Sequence, residues 1–184
     1  MTQTGWEAGF AAVYERGLAA YRQGKTSPDS FLGAEDVRFL ATLGCTAQEL
    51  FDFVEDAQEY GEPSYAEALA VAGIRRDFFL RVLGGKPAAR ARSMSQLPAK
   101  TDAIDGIPWL PRILQKAHAK LKGEMPADLM YGCGGDRMFL KGVRTSLPDF
   151  LAAVRDAGGD DRAVVEWVKR RRTGSDEAFS PRAT

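Results

Sequence analysis

The chain has 184 residues, with 25 basic and 25 acidic side chains, one histidine, two cysteines and 45% apolar residues. That balance excludes a disordered chain, a disulfide framework and a polycationic nucleic-acid binder. No apolar run approaches the ~20 residues of a membrane helix. The start of the chain has no secretory pattern, so the expectation is a soluble cytoplasmic protein with no membrane partner.

The hydrophobic spacing predicts helices throughout. Thr4-Gly5-Trp6-Glu7 reads as a capping box. Trp6, Phe10, Val13, Tyr14, Leu18 and Tyr21 follow at spacings of three and four, up to Gly24. The segment from Thr26 to Ser30 reads as a loop, and a short helix is expected over about residues 35–43. Thr46/Glu49 and Ser64/Glu67 are further capping boxes. They open helices broken by Gly61-Glu62-Pro63 and by Gly84-Gly85. From Gly84 to Gly106 no period is sustained, and no β-hairpin is expected. Pro108 and Pro111 then mark a helix start, followed by an apolar face of Leu110, Ile113, Leu114, Ala117 and Leu121. A loop runs to Gly135 and a short helix is expected from Asp136 to Val143. Ser146/Asp149 reads as a fourth capping box. A last helix spans about residues 161–171, its basic end suited to the helix dipole.

A shift of 100 residues superimposes Asp36, Phe39, Leu40, Val54, Asp56 and Ala57 on Asp136, Phe139, Leu140, Val154, Asp156 and Ala157. The capping pairs Thr46/Glu49 and Ser146/Asp149 fall in the same register. The fold expected is therefore all-α, two related four-helix units in pseudo-symmetric tandem sharing a core. The expected boundaries are unit 1 over 1–85, a linker over 86–105, unit 2 over 106–172 and a frayed tail over 173–184.

The chemically distinctive segment is Tyr131-Gly132-Cys133-Gly134-Gly135-Asp136-Arg137. Glycines let backbone N–H groups approach a guest, and a helix N-terminus favours an anion or a thiolate. Asp136 is a natural N-cap. Arg112 and Lys116, one turn apart on the preceding helix, are placed to hold an anionic group, with Arg137 and Trp109 beside them. Tyr131, Cys133 and Asp136 are the candidates for moving a proton or forming a bond. A buried apolar filler is the competing role for Cys133. Cys45 is expected in a core or cap, and His118 at the edge of an apolar face. With so few His and Cys residues, no metal site and no cofactor is expected. Two readings of Arg75 and Arg76 stay open, a solvated face with an Arg–Asp pair or a phosphate clamp.

Trp109-Leu110-Pro111-Arg112, Lys116 and Tyr131 through Asp136 resemble an uncharacterised bacterial family, domain of unknown function 5069. The likeness runs from about Gly106 to Arg171. His118 stands where the family's pattern would have an arginine, and the resemblance implies no activity. The functional expectation is a small-molecule enzyme (isomerase, lyase or transferase) or a binder of an anionic carboxylate or phosphate metabolite. The alternative is a non-catalytic helical module that presents a surface to a protein partner.

Overall fold

Capped helix starts and glycine stops set the architecture. The computed structural model describes residues 5–174 and 178–180, and the chain divides into two compact units, Met1–Pro87 and Ala88–Thr184. Among the described residues both units are helical, and the only sheet is a two-stranded hairpin.

The first unit contains α1 (Gly5–Arg22), α2 (Pro28–Phe31), α3 (Ala34–Thr42), α4 (Ala47–Tyr60) and α5 (Tyr65–Arg81). Thr4, the expected cap of α1, lies outside the described residues. Helix α2 falls where a loop is expected: Pro28 opens a single turn at the position where no N–H is needed. Thr46 and Ser64 each accept from the third helical N–H, and Glu49 and Glu67 reach back to the cap N–H. Helix α1 packs against the other four, burying Phe10, Tyr14, Leu40, Phe51, Val54 and Val71. Phe31 stands edge-on to Phe51 with ring centroids 5.2 Å apart, over Gly17, where a Cβ would collide with it. Arg16 on α1 grips Asp36 on α3 at 2.6 Å at the surface. Cys45 is buried. Arg75 is buried as well, its guanidinium 5.3 Å from the Phe79 centroid, and desolvation lowers its pKa. The solvated face therefore does not hold for this residue. Arg76 is part-exposed, pairs with Asp77 at 3.5 Å and lies over the Trp6 ring.

The second unit contains β1 (Ala103–Ile104), β2 (Ile107–Pro108), α6 (Leu110–Lys122), α7 (Gly134–Gly142), α8 (Leu147–Asp156) and α9 (Asp161–Arg172). The strands pair antiparallel around Asp105-Gly106, both at positive φ (51° and 73°), which is a two-residue hairpin loop with its preferred residues. This corrects the expectation of no hairpin. The Asp-Gly signal was present, but strands of two residues carry no alternation. The segment read as a linker thus holds a strand and a 3-10 turn (Met94–Gln96), and Arg92 ties it to Glu124 at 2.7 Å and Gln115 at 2.8 Å. Helices α6 and α8 form the main packing, with Leu110, Ile113, Leu114, Phe150, Leu151 and Val168 inside. At the start of α8, Ser146 accepts from Asp149 N–H, and the Asp149 carboxylate accepts from the Ser146 hydroxyl. Asp149 is one methylene shorter than the glutamates that complete the two boxes of the first unit. Of the tail expected to fray, Phe179 stands edge-on to Trp167 at 5.9 Å, and residues 175–177 and 181–184 lie outside the described residues.

Candidate functional site

Helix α7 begins at Gly134, with Cys133 as its N-cap, which corrects the expected start at Asp136. The glycines that read as turn residues are the first helical residues. Asp136 is therefore the third residue of the helix and not its cap. Its carboxylate turns back and accepts from Gly132 N–H at 2.9 Å.

The same carboxylate accepts from the Trp109 indole N–H at 2.9 Å and from the Lys116 ammonium. Lys116 and Asp136 expose 1% and 0% of their side chains, so this ion pair is shielded from water. Lys116 also donates to Cys133 Sγ at 3.3 Å. Cys133 is half-buried, and Gly134 beside it is exposed. Three segments thus meet at Asp136: the start of α6, its second turn and the glycine-rich turn.

Trp109 caps α6 at φ 69°, a left-handed conformation that a bulky side chain adopts at a cost. Its ring lies over Gly135, where an added Cβ would collide with the indole. The bond to Asp136 and this contact hold the strained residue in place.

The structure brings Trp109, Lys116, Cys133 and Asp136 together and sends the other candidates to backbone carbonyls. Arg137 donates to Gly132 O at 2.6 Å, which rigidifies the turn from within. Arg112 donates to Pro98 O at 2.7 Å and so diverges from Lys116. The Tyr131 hydroxyl donates to Leu147 O at 2.9 Å. Burial, with Asp136 and Asp149 nearby, pushes the Tyr131 phenol well above its ordinary value. His118 sits 2.6 Å from Asp161 at the first turn of α9. Among the described residues no group of three or more His, Cys, Asp or Glu side chains is placed to hold a metal. A cleft of about 490 Å³ lined by Arg90, Arg92, Ser93, Gln96 and Glu124 includes no residue of this cluster.

Two features were not anticipated from sequence. The contact of Trp109 with Gly135 joins residues 26 positions apart by packing alone. Asp105, at the hairpin tip, gathers Arg162 at 2.9 Å and Lys169 at 3.1 Å, and these two cations lower its pKa.

These observations define an all-α domain organised round a buried lysine–aspartate pair beside a half-buried thiol. Residues 95–179 match the family model described as Domain of unknown function (DUF5069). The match extends past the segment that carries the resemblance, taking in the hairpin and Phe179. No curated protein and no solved structure matches the chain. No helix among the described residues is long and apolar enough to cross a membrane.

Proposed function

We propose that the second unit is a small-molecule site for an anionic metabolite, with Cys133 as the reacting group and Lys116 as the cation beside it. One observation carries this reading: Lys116 Nζ, itself buried, points at the Sγ of the half-buried cysteine that caps α7. A guest carboxylate or phosphate at that cap would meet backbone N–H groups, the positive end of the helix dipole and the lysine. Asp136 and Trp109 would fix the lysine, while Arg137 and Tyr131 would hold the turn and Arg112 the preceding segment.

We also read the two units as copies of one ancestral helical unit, in a cytoplasmic protein with reduced thiols. Under a shift of 100 residues, α3 starts at 34 and α7 at 134, and α4 starts at 47 and α8 at 147. Arg16–Asp36 and Lys116–Asp136 occupy the same register, one at the surface and one in the interior. The second copy then gained a shielded cation where the first has exposed Arg16, and a thiol where the first has Gly33. A second functional reading, a non-catalytic docking module, is favoured by Met138, which leaves 75% of its surface exposed on α7.

The test uses the Cys45→Ala chain and compares alkylation of Cys133 by iodoacetate with that by iodoacetamide. The expected result is native labelling, with an iodoacetate-to-iodoacetamide rate ratio several-fold above that of the urea-unfolded chain and falling with salt. Labelling only after unfolding, or an unchanged ratio, would overturn the reading.

A further inference from the structure

The contact between Lys116 and Cys133 joins two nucleophiles, and this pairing has a chemical consequence under oxidation. A thiol open to solvent reacts with a peroxide to give a sulfenic acid, and a sulfenic acid condenses with a neighbouring thiol or nitrogen. Cys133 is a free, half-buried thiol of the second unit. The side-chain nitrogen that donates to Cys133 Sγ is Lys116 Nζ at 3.3 Å. We propose that Cys133 and Lys116 are a site of reversible oxidative modification, in which a peroxide converts them to a sulfenamide crosslink between α6 and the α7 cap. The inference rests on the proposed accessibility of Cys133, and it needs no bound metabolite.

The chemistry balances in two steps. Cys133 Sγ attacks one peroxide oxygen and the O–O bond breaks. Sulfur is oxidised to the sulfenic acid, and the peroxide is reduced to water. Lys116 then passes a proton to Asp136 Oδ2, which already accepts its hydrogen bond. The freed amine attacks Sγ, the N–S bond forms, and the S–O bond breaks. The hydroxide that leaves takes up the proton and departs as water. Overall, one peroxide oxidises the pair, two waters leave, and the chain becomes lighter by two hydrogen atoms. A dithiol reverses it: thiolate attack on Sγ expels the amine, and the second thiol resolves the mixed disulfide.

The surroundings favour this outcome over further oxidation. Lys116 Nζ already lies 3.3 Å from Sγ, and Cys133 is only half-buried, with Gly134 beside it exposed. When the lysine is withdrawn, Asp136 keeps its bonds from Trp109 and Gly132. The crosslink removes the cation and the thiol together, so it would switch the site off and shield sulfur from irreversible oxidation.

The experiment treats the full chain and its Cys45→Ala variant with equimolar hydrogen peroxide, followed by intact mass and tryptic mapping. The expected product is lighter by two hydrogens. It is not cleaved at Lys116, it links Lys116 to the Gly123–Arg137 peptide, and dithiothreitol restores the starting map. Lys116→Arg keeps a cation against Asp136 but lacks the amine, and there a second equivalent of peroxide should carry Cys133 on from the sulfenic to the sulfinic acid. If that variant does not fold, the wild-type map decides alone. A Cys133 oxyacid with Lys116 still cleavable, a Cys133-linked dimer, or an unchanged mass overturns the inference. Charge-selective alkylation that persists without crosslinking would sink this inference and leave the proposed site standing. Loss of both would sink the site reading as well.

Discussion

Lys116 and Asp136 form an ion pair closed off from water, with 1% and 0% of their side chains exposed, whereas Arg16 in the pair Arg16–Asp36 is 56% exposed. The two environments predict different stability costs. Lys116→Met leaves a buried carboxylate without its countercharge, and Asp136→Asn leaves a buried ammonium; each should cost about 3–5 kcal/mol. Asp36→Ala breaks a pair that water and salt already screen, so it should cost less than about 1 kcal/mol. Urea unfolding of the three variants checks this. Equal losses at the two sites would refute the assignment of Lys116–Asp136 as the interior anchor.

Much of the helical frame was readable because its signals are local. Thr46/Glu49 and Ser64/Glu67 lie within one turn, and each box closes as spaced. Pro111 falls in the first turn of α6. What was not readable depends on tertiary contact. Arg112 and Lys116 look like a paired clamp from their spacing, yet Pro98 O draws one outward and Asp136 draws the other inward. The start of α7 was obscured because Gly134 and Gly135 signal a turn, while packing under Trp109 requires a residue without Cβ at 135. The glycine-rich turn is legible as a segment, but its internal wiring depends on residues about 20 positions away.

Asp105 makes a pH prediction. Lys169 and Arg162 hold its carboxyl below the ordinary carboxylate value. A group whose folded value is depressed adds stability above its unfolded value, about 3.9, and loses it as pH falls through the folded value. Asp105→Asn keeps a residue that tolerates φ 51° and removes the charge. The variant should be less stable than wild type near neutral pH, and the two should converge as pH falls below about 4. Thermal unfolding at several pH values tests it, and a gap that widens on acidification would refute the pairing.

Tyr131 makes the opposite prediction on the alkaline side. Its phenol is pushed up by burial, so the stability it contributes is complete below the unfolded value near 10 and lost as pH rises through the folded one. Burial raises Tyr14 and Tyr65 as well, so phenolate absorbance should show one fewer tyrosine held back until alkaline unfolding in Tyr131→Phe than in wild type. That variant also leaves Leu147 O without its donor and should lose about 1 kcal/mol. A titration in which all tyrosines ionise in the folded chain would contradict the buried hydroxyl.

Gly135 and Trp109 predict a steric coupling that separates packing from charge. A Cβ at 135 has to push against the indole, and the indole cannot retreat freely because its N–H is bonded to Asp136 and its backbone is held at φ 69°. Gly135→Ala should therefore cost about 1–3 kcal/mol, although alanine is the better helix former. Trp109→Phe removes the ring that carries the N–H and narrows the side chain, so in that background the added methyl should cost less. A double-mutant cycle in urea measures the coupling directly. Additive losses would mean that Trp109 does not sit against Gly135, and the route by which α6 positions Asp136 beside Lys116 would then have to be redrawn.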